Sequence, residues 1–534
     1  MKRILSVLFV LAAASATASS FGPVHKKYIA HGWDLLGMTP REVLANADAW
    51  DRTGVDGVTL MINEKLAGGR HISHTRIMND PPWPREQLKA QIAVFREIVK
   101  HPSLRESFIS SWWAPQRRLA WNDDAAWANF AANMATVAWL AREGGLRGIL
   151  VDAEDYPRSG QYTLQTGDAP YDETAKLARR RGAQVFKAIF DEYPDVTFLS
   201  FWLLSLNSVH FASTSPITAA KNRGDLWPWF INGMLDVIPP TAKFVDGNEC
   251  AYHYEAEKGH FYRSACQQRT GALGLVAPEN RQKYLAQLRA GFGLYLDSYI
   301  NPTNSPWYFG PVDGSRVKHF VRNLAQATDA CDEYLWVYGE KKAWIPWKGV
   351  KLKHYETCGT WNQALPGLDD EMALMKAAVS VDVLHRRTEQ LRRDGKYTNL
   401  VAGVKRPWPA WQDEHKRQGR TGREGEAEFL QGVESGCILV GVPAKAGSCY
   451  GVRLRMKGKG GSAPIYWQLD HKWQWQLPGA TVLFAEGDEN VWREGEALVR
   501  VPEGADRLVL QLGAHQLNPD DKVWFDRVEV WPLN

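Results

Sequence analysis

From residue 27 to about residue 390, short apolar runs alternate with amphipathic segments. The runs cover 27–33, 57–62, 107–113, 148–153, 197–203, 243–249, 293–299 and 334–340. Most are apolar or β-branched and end on a polar or aromatic residue, the pattern of parallel strands buried on both faces. Segments of helical period lie between them at 40–50, 85–100, 125–143, 172–192, 226–237, 279–290 and 317–330, with a last one at 370–384. The first begins with a capping box, Thr39 with Glu42 three residues on. Eight strands each followed by a helix predict an α/β (β/α)8 barrel over 25–391, enlarged by loop insertions. An open doubly wound sheet is the alternative, but no G-x-G-x-x-G follows an early strand.

The pattern then changes. Residues 392–424 are rich in Arg, Lys, Gly and Pro and are expected to form a linker. From 425 to 534 the period falls to two, with strands expected at 437–440, 449–457, 465–469, 498–501, 507–512 and 522–530. That is an all-β sandwich. Three stretches carry a resemblance to the jelly-roll carbohydrate-binding modules of secreted enzymes: Ser448 to Gly458, the turn Val501-Pro502-Glu503-Gly504-Ala505, and Val523 to Val530. The resemblance implies sugar contacts, for which Trp467, Trp473 and Trp475 are candidate platforms; sandwich core is their alternative.

Residues 1–18 read as a signal peptide. Lys2 and Arg3 precede an apolar run from Ile4 to Ala14, and Ala16-Thr17-Ala18 forms a cleavage site. The expectation is a secreted or periplasmic protein with no membrane span, since no later stretch approaches about 18 apolar residues. Six cysteines suit that compartment, with local pairs expected between Cys250 and Cys266, Cys331 and Cys358, and Cys437 and Cys449. With 64 basic against 60 acidic residues the net charge is +4, too balanced for a nucleic-acid partner. Tryptophan stands out at 24 residues; flat rings with a polar edge suit sugar faces as well as a large core.

In a barrel, chemistry sits where strands end at their carboxyl termini. The fourth strand ends Val151-Asp152-Ala153-Glu154-Asp155-Tyr156, and alternation puts Asp152 and Glu154 on one side. Desolvation and like charge raise such a pKa, which is how a carboxyl group stays protonated as a general acid; helix capping or pairing with Arg158 or Arg179 is the structural alternative. The sixth strand exits through Glu249, Tyr252 and Tyr254, the seventh through Asp297, and the eighth through Trp336 and Glu340 followed by Trp344. His31 and Trp33 close the first, His31 more plausibly as a hydrogen-bonded structural residue.

The octet Arg147-Gly148-Ile149-Leu150-Val151-Asp152-Ala153-Glu154 resembles the strand-four motif D-G-x-D-x-D-x-E of the family 18 chitinases and their relatives. Gly148, Asp152 and Glu154 match, whereas Arg147 and Leu150 replace two aspartates. The resemblance implies a glycoside hydrolase with Glu154 as acid, Asp152 as its helper, and Tyr252 or Tyr254 near the family's strand-six tyrosine. Glu340 or Glu249 would be the second carboxylate, about 5–5.5 Å away for retention or about 6.5–9.5 Å for inversion. Tyr254, Tyr252, Trp336, Trp344, Asp297, Trp33 and His31 would contact the carbohydrate substrate, and no metal or organic cofactor is implied. The rival reading is a non-catalytic glycan-binding protein on a degenerate barrel. A lyase or deacetylase is a third, the latter requiring a His/Asp metal cluster.

Overall fold

The computed structural model describes residues 26–208, 215–350, 352, 359–375, 381–477, 479–485, 488–502 and 504–533. The signal sequence and Cys358 lie outside them. All eight expected strand positions are occupied: Lys27–Gly32, Gly57–Leu60, Phe108–Trp112, Gly148–Asp152, Thr197–Ser200, Lys243–Asp246, a divided seventh, and Tyr334–Gly339. Each pairs in parallel with its neighbour, the divided seventh through one half with the sixth and through the other with the eighth, and the first pairs with the eighth, so the strands form a nearly closed barrel. Parallel closure gathers every carboxyl-terminal strand end at one mouth.

The seventh strand departs from expectation. It runs as Leu288–Ala290 against the sixth strand and Phe292–Tyr295 against the eighth, broken at Gly291. The first half belonged to the expected helix 279–290, and the end of the expected strand is instead the 3-10 turn Leu296–Tyr299. A β-carbon at Gly291 would stand 2.8 Å from a Val245 methyl and 2.9 Å from the Tyr334 carbonyl, so only glycine allows the strand to bend between its two partners. At Gly148 a β-carbon would lie 1.8 Å from the Thr197 oxygen, which explains a glycine at the start of the fourth strand.

Helices surround the barrel much as the periodicity predicts. Thr39 and Glu42 form the complete capping box. The long helices Asp124–Gly144 and Tyr171–Glu192 bury one face each against the sheet. Of the expected last helix at 370–384, the described residues are helical in Leu368–Met375 and from Val381 onwards, in Val381–Arg393.

The C-terminal part is a sandwich of two antiparallel sheets. Residues 392–424, expected as a linker, contribute the strands Ala410–Gln412 and Arg420–Glu424 to it. Both are edge strands, and Arg420, Arg423 and Glu424 on the second are exposed to water. The sandwich rests directly on barrel helices: the Trp531 indole donates to Thr388 Oγ1 at 3.0 Å, and the Arg500 guanidinium to the Ala325 carbonyl at 2.8 Å.

Among the described residues Cys250, Cys266, Cys331, Cys437 and Cys449 form no disulfide with one another, and the expected Cys331–Cys358 pair reaches outside them. Cys437 and Cys449 lie on strands of different sheets, and Cys449 donates to the Leu374 carbonyl at 3.2 Å across the domain interface. Cys250 sits in the turn Glu249–His253, whereas Cys266 is exposed on helix His260–Arg269. Proximity in sequence does not bring these thiols together. Among the described residues, no helix is long and apolar enough to cross a membrane.

Candidate active site

The barrel mouth opens into a cavity of about 780 Å³. Asp152, Glu154, Glu249 and Glu340 all line it, so acids from the fourth, sixth and eighth strand exits converge as the sequence predicts. Each is held by its own local structure. Asp152 ends its strand and accepts the Glu154 backbone N–H at 2.8 Å, while Ala153 is buried facing away. The Trp112 indole, in register with Asp152 on the neighbouring strand, donates to the Glu154 carbonyl at 2.9 Å. The Tyr156 phenol donates to Glu154 Oε2 at 2.8 Å.

On the sixth strand, fully buried Asp246 accepts the backbone N–H groups of Leu203, Leu204 and Ser205 at 2.8–3.0 Å. This fixes the loop after the fifth strand and aims the Trp202 indole at Glu249 Oε2, 3.0 Å away. At the eighth strand exit the Tyr338 phenol donates to Glu340 Oε1 at 3.1 Å. Among the described residues, no lysine or arginine forms a salt bridge with any of the four cavity acids. Arg179, a conceivable partner, is engaged by Asp236 and Glu279.

Aromatic faces complete the wall. Tyr252, Tyr295 and Tyr338 stack with centroids 5.1–6.0 Å apart and planes within 26°. His31 stacks on Tyr338 and shares a 2.8 Å hydrogen bond with Thr59 Oγ1, while Trp33, 41% exposed, stands at the cavity edge. His253 lies flat on Trp307 at 4.0 Å.

Four residues expected to touch substrate do not line the cavity. Trp336 is buried and its indole donates to the Gly247 carbonyl at 2.8 Å; it stacks beneath Phe201, which takes the place at the wall. Trp344 is buried with its indole on the His31 carbonyl at 3.0 Å, and its backbone N–H is held by Asp34. Asp297 is fully buried and accepts the N–H groups of Glu340 at 2.7 Å and Lys341 at 3.2 Å, so it positions Glu340 rather than meeting a ligand. Tyr254 receives a hydrogen bond from the Asn248 amide at 3.2 Å and packs on Phe261. Conversely, Trp112, Tyr156, Tyr295, Tyr338, His74 and Trp307 line the cavity without having been singled out. Trp112, Tyr295 and Tyr338 end strands and could have been found by applying the strand-exit rule to aromatics. His74 starts the short 3-10 helix His74–Arg76 and Trp307 lies in a loop, where no periodicity marks them.

The electrostatics follow from crowding acids in a dry place. Burial, then the charge of Glu154, raises the Asp152 carboxyl well above its usual range. Burial also raises Glu154; the Tyr156 phenol opposes this and the charge of Glu340 adds to it. Glu249 is pushed from 4.5 to about 8 by burial and by the charge of Glu154, against the pull of the Trp202 indole. Burial lowers His31 to about 3, with His74 adding to the effect, and lowers His74 itself to about 4. One triple among the described residues could ligate a metal, Asp48, Asp51 and His101, and none of the three lines the cavity.

On the sandwich, Trp467 is buried in the core and is not a platform. Trp473 and Trp475 stack at 4.8 Å with planes 13° apart, Trp475 is 63% exposed, and Tyr466 meets it edge-on at 5.4 Å.

No protein-family model matches the chain, and no curated protein matches it. Solved structures overlap parts of it. The enzymatically active domain of tailspike protein 4 of bacteriophage CBA120 aligns over 23% of this chain at 14% identity and TM-score 0.20, spanning only 19% of the tailspike chain. A family 29 carbohydrate-binding module complexed with cellulohexaose aligns over 26% of this chain and 91% of its own, at 17% identity and TM-score 0.18. A Clostridium thermocellum xylanase 10B comprising CBM22-1 and GH10 modules aligns over 20% of this chain and 21% of its own, at 12% identity and TM-score 0.16. The architecture given above rests on this chain's own strand order.

Proposed function

We propose that this chain is an exported glycoside hydrolase. The supporting observation is the convergence of Asp152, Glu154, Glu249 and Glu340 on one aromatic-walled cavity, with no lysine or arginine among the described residues bridged to any of them. Glycosidic cleavage needs one carboxyl group that holds a proton and one that does not. Glu249, the more deeply buried and raised to about 8, keeps its proton at neutral pH and donates it to the departing glycosidic oxygen. Glu154, whose anion is stabilised by the Tyr156 phenol, is the ionised partner that attacks the anomeric carbon or activates the water that does. These roles reverse the ones the chitinase resemblance implies for Glu154. Asp152 fixes the turn that carries Glu154, and Glu340 adds negative charge beside it. The tyrosine stack offers faces for pyranose C–H groups. The Trp473–Trp475 pair gives the sandwich a second, surface contact for a polysaccharide. Export rests on residues 1–18.

A leaving group that needs no protonation separates the two roles. Glu249→Gln should lose about 10²- to 10⁴-fold on a natural glycan yet keep most activity on a dinitrophenyl glycoside. Glu154→Gln should lose both while still binding sugar. A chain that binds glycans and releases no product from any of them is the non-catalytic rival, and that result would replace the hydrolase reading.

A further inference from the structure

The cavity's charge is one-sided. Among the described residues no lysine or arginine lines it, against the four carboxyl groups of Asp152, Glu154, Glu249 and Glu340. The histidines cannot supply the missing positive charge. His31 and His74 are buried and stay neutral at physiological pH, His31 against Thr59 and His74 beside Asn63, and burial against Trp307 lowers the third lining histidine, His253, as well. Lys341, adjacent to Glu340, donates to the Asn301 side chain and is not part of the wall. A uronate, sulfate or sialate placed here would meet no lysine or arginine among the described lining residues and would face at least one carboxylate.

Resting on the hydrolase reading for the identity of the site, we infer that this cavity selects glycans without anionic groups. The carboxylates accept hydroxyl hydrogen bonds, the tyrosine faces take apolar ring surfaces, and any fixed negative charge is rejected. The discrimination is electrostatic rather than steric, because a cavity of about 780 Å³ has room for a carboxylate in place of a hydroxymethyl group.

The test uses three forms of the same hexo-oligosaccharides: native, oxidised at C6 to the carboxylate, and the methyl ester of that carboxylate. Binding of their uncleavable S-linked analogues to the full-length wild-type protein, which keeps all four acids, is measured by calorimetry at pH 7. The oxidised form should bind about 100-fold or more weakly than the native one, since like charges in a desolvated site cost that much. The uncharged ester, which has the same carbon skeleton, should recover most of the loss. Leu36→Lys, which places a cation on the half-buried wall at a position with no polar duty, should recover at least about tenfold for the oxidised form alone. Equal binding of native and oxidised sugars overturns the inference, as does an ester that binds as poorly as the acid. If wild type cleaves nothing but the binding order holds, the hydrolase reading fails and the charge selectivity stands. If wild type cleaves oxidised and native glycans at equal rates, the selectivity fails and the hydrolase reading stands.

Discussion

Glu249→Gln tests the electrostatic account through stability, independently of any substrate. In the folded chain the Glu249 carboxyl takes its proton up at about 8, whereas an exposed glutamate does so at 4.5. Between those pH values the native state holds close to one proton more than the unfolded chain. Stability therefore falls as pH rises through the window, by up to about 1.4 kcal/mol per pH unit. Below 4.5 both states are protonated and nothing is lost; above 8 the full penalty is present, with a ceiling of about 5 kcal/mol. Glutamine has the shape of the protonated acid and never ionises, so the variant escapes the penalty. Urea unfolding of both proteins from pH 4 to pH 9 should give near-equal stabilities at the acid end and an advantage to Glu249→Gln that grows to several kcal/mol by pH 8. A stability difference that stays constant across that range would show an ordinary carboxyl group and remove the basis for calling Glu249 the proton donor.

Other consequences follow from particular contacts. Asp297→Ala leaves the Glu340 and Lys341 N–H groups without their buried acceptor. It should cost about 1–3 kcal/mol in urea unfolding and lower kcat by loosening Glu340, whereas Asp297→Asn should restore part of both. Trp475→Ala removes an exposed ring that supports nothing in the sandwich core. It should weaken retention on insoluble polysaccharide in a pull-down while leaving kcat/KM on a small aryl glycoside unchanged.

Much of the architecture could be read from the chain because a buried parallel strand has an unmistakable pattern. The run Ile149-Leu150-Val151 ending on Asp152 can face only a helix on one side and a barrel interior on the other. The rule that strand ends face the mouth then placed Asp152, Glu154, Glu249 and Glu340 on the cavity wall. It failed where a side chain at the right place points elsewhere. Trp336 lies one pleat below the mouth, and Asp297 folds back onto the N–H groups after the next strand. Neither orientation is encoded in spacing. The divided seventh strand escaped notice because Leu288–Ala290 continues the helical apolar period of the segment before it. The Cys437–Cys449 pair failed because local spacing ignored that the two sheets of the sandwich separate those two residues. His74 comes from a short 3-10 helix and Trp307 from a loop, whose paths only the tertiary structure defines.

The most direct measurement is a crystal structure of Glu154→Gln soaked with an uncharged oligosaccharide that the wild type cleaves. The account predicts sugar rings against Tyr252, Tyr295 and Tyr338, with the scissile oxygen within hydrogen-bonding distance of the Glu249 carboxyl. Sugar bound only on the sandwich at Trp475, with the barrel mouth holding none, would contradict it.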